Sequence, residues 1–218
     1  MTRKPLYYPF ARVLAAILFT VIYPLEVQNG YKLPKKGKMI VCSNHVHVLD
    51  PAILDYSQWR MICFMAKTEL FEGNKWGADF IRSLGAFPVT RGNDGGRAIE
   101  NAKKLLDGND CVGVFIEGTR SKTGELGRAH AGAILIAHQT NTPITPCCIT
   151  PRTGFFTPFK KTKVMFGEPI TCEELGVKEG TNREYREAAK KVMEIIADMR
   201  KKHREEFDGK KRKQKKEE

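Results

Sequence analysis

Short apolar runs alternate with helical patterns along most of this chain, and that alternation constrains the fold more than any other feature. Each run has the length of a strand, and polar loops separate the runs from the helical patterns. Strands that alternate with helices form a mainly parallel sheet covered on both sides. The predicted fold class is therefore α/β, with a mainly parallel central sheet flanked by helices. The predicted strands are residues 39–42, 60–66, 86–90, 111–116, 143–149 and 163–166.

The helices are predicted from apolar spacing and from start and stop signals. Asp50 is predicted to be an N-cap, with Pro51 at the first helical position. Further helices are predicted at residues 76–84, 97–106, 129–138 and 182–207. A length of 218 residues suits one domain with a sizeable core. The predicted organisation is a membrane-associating segment at 1–30, the main domain at 31–207 and a basic tail at 208–218.

The N-terminal segment is unusually apolar. It carries no charge from Val13 to Leu25, and Pro24 ends its helical pattern. The apolar side chains recur at helical spacing on one face, whereas the opposite face, which includes Arg12 and Phe19, is weakly polar. A spanning helix needs about 20 apolar residues, which is more than this run offers. We expect a helix that lies in the membrane interface, with a spanning helix and a buried core helix as the alternatives.

The net charge of +12 predicts an anionic partner, such as a phosphate-bearing substrate or an acidic lipid surface. Nucleic acid is not expected, because no nucleic-acid motif or basic and aromatic platform is present. Residues 210–218 contain no apolar side chain and are predicted to be disordered. The six cysteines form no C-x-x-C pair, which is typical of buried free thiols in a reducing compartment.

The loop after the first predicted strand concentrates reactive side chains. His45 and Asp50 are close enough in sequence to form a general base and its orienting carboxylate. A second interpretation is a metal site made by His45, His47 and Asp50, because imidazoles and carboxylates are zinc ligands. His130, His138 and His203 lie in predicted helical contexts without a supporting ligand pattern.

Three other predicted strands end in charged loops. Lys67 follows one strand, Arg91 follows another, and a third runs into residues 117–121. Guanidinium groups bind phosphate well, and glycine lets backbone N–H groups approach an anion closely. These loops predict an oxyanion or phosphate pocket that faces the His45 loop.

Four short motifs follow one another along the chain. Residues 44–50 match N-H-x-S-x-x-D, and residues 85–91 match G-x-x-F-x-x-R. Residues 115–121 match F-P-E-G-T-R-S, and residues 143–146 match a P-I/V-x-P strand. In these motifs and their order the chain resembles the glycerolipid acyltransferase family, and within it the 1-acylglycerol-3-phosphate acyltransferases. The chain departs from the pattern at three positions, where His47 replaces Ser, Pro88 stands where Phe is common and Ile116 replaces Pro. Four ordered motifs are a much stronger signal than one.

The resemblance implies transfer of a fatty acyl group from a thioester of CoA or acyl-carrier protein to the sn-2 hydroxyl of lysophosphatidate, without a further cofactor or a metal. It implies that His45 is the general base and that Asp50 orients it. The acceptor phosphate would be held by Arg91 and Arg120, with Glu117, Gly118 and Thr119 in the same loop and Lys67 nearby. A peripheral or monotopic enzyme at the cytoplasmic face of the membrane is expected. The alternatives are acylation of glycerol-3-phosphate or another lysophospholipid, a metal-dependent hydrolase, and a non-catalytic basic module.

Overall fold

The central sheet determines where every functional loop lies. The computed structural model describes residues 8–68, 71–72, 78–79, 82, 85–89 and 95–217. Within these residues seven strands form one sheet in the order β1-β7-β6-β2-β5-β3-β4. Only the β6–β7 pair is antiparallel among them. The strands are β1 Leu25–Gln28, β2 Met39–Ser43, β3 Ile62–Lys67, β4 Phe87–Val89, β5 Cys111–Phe115, β6 Ile144–Pro151 and β7 Thr162–Phe166.

Helices cover both faces of the sheet, as the alternation predicted. They are α1 Tyr8–Ile17, α2 Asp50–Tyr56, α3 Gly95–Asp107, α4 Gly132–Thr140 and α5 Asn182–Glu217. Successive residues of β2 point to opposite faces, so Ile40 packs with α3, α4 and α5 while Val41 packs with α2. Every residue of β2, β6 and β7 is buried, which is typical of strands covered on both sides.

Several predicted boundaries move in the structure. Asp50 is the first residue of α2 rather than its N-cap, because its carboxylate turns back toward the preceding loop. Helix α4 begins at Gly132, so His130 precedes the helix instead of lying in it. The predicted helix at 76–84 falls largely outside the described residues.

The two ends of the chain also differ from the prediction. Strand β1 was not predicted, and it pairs in parallel with β7, so the sheet includes residues of the segment predicted at 1–30. Helix α5 continues to Glu217, although residues 210–218 were predicted to be disordered. The reason is that lysine, arginine, glutamine and glutamate are good helix formers and no proline interrupts them.

The N-terminal helix docks through the face that the sequence marked as weakly polar. Arg12 donates hydrogen bonds of 3.0 Å to the carbonyl of Asp55 and 3.2 Å to that of Gln58, at the C-terminal end of α2. Phe19, in the π-helical turn Leu18–Ile22, is buried and lies 5.5 Å from the Tyr56 ring. The apolar face is left exposed by this docking, with Phe10 at 70% and Ile17 at 58%. No helix within the described part of the chain is long and apolar enough to cross a membrane.

Candidate active site

The loop between β2 and α2 holds His45 against Asp50. The imidazole Nδ1 of His45 lies 2.7 Å from Asp50 Oδ2, and the same oxygen accepts the backbone N–H groups of Val46 at 2.7 Å and His47 at 2.8 Å. Asp50 is completely buried, so its carboxylate is fixed by these contacts. A carboxylate acceptor at Nδ1 places the ring hydrogen on Nδ1 and leaves the lone pair on Nε2. His45 is therefore oriented to act as a base through Nε2.

A stack of rings supports the same imidazole from one side. The Phe115 ring lies 3.9 Å from the His45 ring with an interplanar angle of 11°, and Phe64 stacks on Phe115 at 5.3 Å. Gly113 pairs with Phe64 across the β3–β5 ladder. A Cβ atom at Gly113 would lie 2.1 Å from the Phe64 ring, so glycine is required for the stack to form. Packing on β5 therefore sets the plane of the His45 ring.

Glu117 braces the loop from the other side. Its Oε1 accepts the backbone N–H of His45 at 3.1 Å, and its Oε2 accepts that of Gly127 at 2.8 Å. The side chain is buried, and both carboxylate oxygens are used by amides. Glu117 therefore ties the His45 loop to the chain at Gly127.

The hydrogen bonds of Asn44 explain why an amide side chain precedes His45 in the chain. It is fully buried, donates from Nδ2 to the Ile149 carbonyl at 3.0 Å and accepts the Ile149 N–H on Oδ1 at 2.8 Å. This two-way contact substitutes for a backbone pair between the end of β2 and β6. It fixes the start of the His45 loop to the middle of the sheet.

The predicted phosphate loop, residues 117–121, is joined to the loop that carries His45, and its middle is exposed. Gly118, Thr119 and Arg120 are all exposed, and Gly118 has a left-handed φ of 66°. The carbonyl of His45 accepts the N–H of Ser121 at 2.8 Å, which joins the two loops directly. Arg120 is therefore an exposed cation in a loop that is hydrogen-bonded to the His45 loop.

Two of the predicted anion ligands cannot be placed. Arg91 lies outside the described residues. Lys67 is the last residue of β3, and the structure describes only its backbone. One neighbour of the loop was missed by the sequence analysis. His130 donates its backbone N–H to the Ile116 carbonyl at 2.8 Å, and its ring comes within 3.6 Å of the position that a Cβ of Gly118 would occupy. No signal in the sequence indicated this neighbour, because the helix predicted at 129–138 contained His130.

His47 has a different environment from His45. Its Nδ1 accepts the backbone N–H of Leu49 at 3.2 Å, and its ring lies 5.0 Å from that of Phe156. Partial burial lowers its pKa, and the positive charge of Arg120 adds to this effect against the opposing influence of Asp50. The ring nitrogens Nδ1 of His45 and His47 are thus both engaged by the protein. Among the described residues, no three histidine, cysteine, aspartate or glutamate side chains converge as metal ligands would.

The cysteines are poor nucleophiles in this structure. All six are free, and only Cys172 is not fully buried. Burial raises the pKa of Cys42 and of Cys111 to about 12 and that of Cys148 to about 11. Burial therefore disfavours the thiolate form that a cysteine nucleophile needs, whereas His45 is oriented as a base.

Comparison with known proteins gives one consistent result. A model of the Acyltransferase family matches residues 24–150. The chain is 32% identical over 170 residues to the 1-acyl-sn-glycerol-3-phosphate acyltransferase of Bacillus subtilis, and the match covers 75% of this chain and 82% of that protein. It is 27% identical over 136 residues to the protein of the same name from Borreliella burgdorferi, covering 60% of this chain and 52% of that one.

The fold comparison agrees. The crystal structure of the 1-acyl-sn-glycerophosphate acyltransferase PlsC from Thermotoga maritima superposes with a TM-score of 0.64. The alignment has 23% sequence identity and covers 94% of this chain and 78% of that one. This similarity supports the same arrangement of sheet and helices.

Proposed function

The chain belongs to the glycerolipid acyltransferase family, and on that premise we propose that it acylates the sn-2 hydroxyl of 1-acylglycerol-3-phosphate to give phosphatidate. The observation that carries this proposal is the His45–Asp50 pair, held at 2.7 Å beside an exposed Gly118–Arg120 loop. The names of the relatives favour lysophosphatidate over glycerol-3-phosphate or another lysophospholipid as the acceptor.

The reaction follows from the chemistry of the pair. Nε2 of His45 takes the proton of the acceptor hydroxyl while the oxygen attacks the carbonyl carbon of the acyl thioester. Asp50 stabilises the imidazolium that forms. When the tetrahedral intermediate collapses, the C–S bond breaks and the imidazolium returns its proton to the departing sulfur. The acceptor oxygen is itself the nucleophile, so no acyl-enzyme forms.

The acceptor is oriented by its phosphate. Arg120 is exposed one loop away from His45, and its planar guanidinium suits bidentate contact with phosphate oxygens. The N–H groups near Gly118 can add backbone donors because the left-handed turn leaves this loop open. Arg91, by its motif position, and Lys67, by its place at the end of β3, belong to the same proposed anion site.

We further propose that the enzyme lies at the cytoplasmic face of the membrane, held by the exposed face of α1. Val13, Leu14 and Ile17 are 60%, 49% and 58% exposed, although they are large and apolar. The loop between β6 and β7 continues this surface, since the N–H of Phe159 donates to the Ile22 carbonyl at 2.6 Å and its ring is 72% exposed. An acceptor that carries an acyl chain resides in the bilayer, so a bilayer contact beside the site gives it access.

The decisive experiment is a product assay with a matched variant. Purified protein is incubated with labelled acyl-CoA and acyl-carrier protein, each with lysophosphatidate, glycerol-3-phosphate and a lysophospholipid. We expect phosphatidate from lysophosphatidate, and no product from His45→Asn. Asparagine retains a donor for Asp50 but has no base, so the loop should stay folded. Unchanged turnover in this variant would refute the mechanism.

The membrane proposal has its own measurement. Flotation with anionic vesicles should fall at least tenfold in Val13→Asn/Ile17→Asn, because each apolar side chain contributes about 1.5–3 kcal/mol on burial. Val27→Asn, a change at an exposed valine on β1, should float like the wild type. Equal flotation of all three proteins would remove α1 from the bilayer contact.

A further inference from the structure

His47 carries a hydrogen-bond donor that the protein itself does not use. The residue stands where the family motif has serine. Its ring nitrogen Nδ1 accepts the backbone N–H of Leu49, two residues further along the chain, at 3.2 Å. Serine and asparagine side chains form the same kind of local turn with the backbone two residues on. Nδ1 of the imidazole therefore makes the contact that a serine hydroxyl can make here, and Nε2 is an additional polar group.

The contact with Leu49 determines which nitrogen of His47 carries the hydrogen. In a neutral imidazole the nitrogen that accepts a hydrogen bond has no hydrogen, so the hydrogen is on Nε2. Partial burial lowers the pKa of His47 from its usual 6.5, which favours the neutral ring at pH 7. Within the described part of the chain Nε2 makes no hydrogen bond, and the side chain is only partly buried. His47 therefore offers one N–H donor to a ligand.

The ring of His47 is held in the catalytic loop and lies near a cation. Its backbone N–H donates at 2.8 Å to the same Asp50 oxygen that contacts His45 Nδ1, so one carboxylate holds both histidines. The Phe156 ring lies 5.0 Å from the His47 ring. The guanidinium of Arg120 is close enough for its positive charge to act on the His47 imidazole. A neutral donor, a general base and a cation are therefore neighbours at this edge of the sheet.

The chemistry of the acceptor brings its phosphate close to the base. In lysophosphatidate only two carbon atoms and one ester oxygen separate the sn-2 hydroxyl oxygen from the phosphorus atom. When that hydroxyl meets Nε2 of His45, the phosphate must lie in the immediate surroundings of the same loop. Two residues of extended chain span at most about 7 Å, so a ring at position 47 is near the same region.

We propose that Nε2–H of His47 donates a hydrogen bond to the acceptor phosphate beside Arg120, and that it thereby helps to select an acceptor that carries a phosphate monoester. The inference rests on the proposed function, in which lysophosphatidate is the acceptor. Arg120 supplies positive charge, and His47 supplies a donor whose direction is fixed by the turn at Leu49. The thioester carbonyl is the poorer partner, because the charge of Arg120 attracts the strongly anionic phosphate monoester to this part of the site.

The test separates the two ring nitrogens of His47. Asparagine and serine can accept the Leu49 N–H as Nδ1 does, but neither reaches the position of Nε2, whereas the amide nitrogen of glutamine does. Initial rates are measured with palmitoyl-CoA and lysophosphatidate, each varied in turn, and thermal unfolding is followed on the same samples. In His47→Asn and His47→Ser we expect the KM for lysophosphatidate to rise about tenfold or more, because a hydrogen bond to a charged group is lost. The kcat, the KM for palmitoyl-CoA and the unfolding temperature should stay near those of the wild type, and His47→Gln should recover most of the lost affinity.

Each other outcome overturns the proposal. A fall in kcat at unchanged KM would assign the donor to the oxyanion of the thioester carbonyl, and a rise in the KM for palmitoyl-CoA alone would assign it to the phosphates of the acyl donor. Equal impairment of the glutamine and asparagine variants would leave His47 with a purely structural role, and unchanged kinetics would leave it with none. Failure of the proposed function itself would look different, because the wild-type protein would then form no phosphatidate.

Discussion

Replacement of Asp50 by asparagine removes the negative charge of the side chain but keeps an oxygen that can accept hydrogen bonds. The side-chain oxygen of the new amide can still accept the N–H groups of Val46 and His47, which Asp50 Oδ2 accepts at 2.7 and 2.8 Å. What is lost is the negative charge 2.7 Å from His45 Nδ1. A hydrogen bond to a charged group contributes about 1.5–3 kcal/mol, which corresponds to roughly a 10- to 150-fold fall in kcat. If the amide of the Asp50→Asn variant donates to His45 Nδ1, the imidazole hydrogen moves to Nε2, which can then no longer accept a proton. The fall in kcat can in that case reach about 10⁴-fold.

The assay is kcat at saturating donor and acceptor, with thermal unfolding measured on the same samples. Asp50→Asn should unfold at a somewhat lower temperature than the wild type, because its Nδ2 takes the buried position of Oδ1, which has no hydrogen-bond partner among the described residues. Asp50→Ala should lose more stability because two amides lose their acceptor, at about 1–3 kcal/mol for each one that is buried. The double variant His45→Asn/Asp50→Asn should be no slower than His45→Asn alone, because Asp50 acts through His45. A kcat of Asp50→Asn within twofold of the wild type, or a further large loss in the double variant, would refute this reasoning.

Substitutions at four other positions test separate parts of the structure. Gly113→Ala should displace the Phe64 ring and, through the ring stack, His45. Because a misplaced base slows the reaction, steady-state kinetics should show kcat lower by about tenfold or more with little change in KM. Glu117→Gln should lower both stability and kcat, because an amide group replaces one of two buried acceptor oxygens, and calorimetry with kinetics measures both. Arg120→Ala should raise the KM for lysophosphatidate about tenfold or more, and Arg120→Lys should recover part of it in the same assay. Burial lowers the pKa of His203 to about 4 from 6.5, so the unfolded chain binds the extra proton and stability falls as pH drops from about 6.5 toward 4. Urea unfolding should show about 2 kcal/mol of loss from this group between pH 7 and pH 5, absent in His203→Gln.

The features that the sequence predicted are local ones. Strand β2 and the His45–Asp50 pair are separated by a few residues, so the apolar run and the loop chemistry were visible together. The alternation of strands and helices likewise indicated the parallel sheet. The exact helix start at Asp50 was missed because an N-cap accepts N–H groups that follow it, whereas this carboxylate contacts three nitrogen atoms of residues that precede it.

The features that the sequence did not predict depend on contacts between distant residues. Strand β1 has only four residues and becomes a strand by pairing with β7. Glu117 was grouped with phosphate ligands, and only the fold shows that Gly127 and His45 use both of its oxygens. The docking of the weakly polar face of α1 was also not predicted, because the partners of Arg12 are carbonyl groups at the end of α2.

The pairing of β1 with β7 has a consequence for the order of events during synthesis. Leu25 pairs with Thr162, and Glu26 forms an ion pair of 3.1 Å with the buried Lys163, so neither contact can form until β7 has been translated. At about 5–20 residues per second, α1 waits on the order of ten seconds on the ribosome before its own strand can join the sheet. During that interval its apolar face is already complete. We therefore expect the nascent chain to reach the bilayer before its catalytic domain has folded, with folding finishing on the membrane surface.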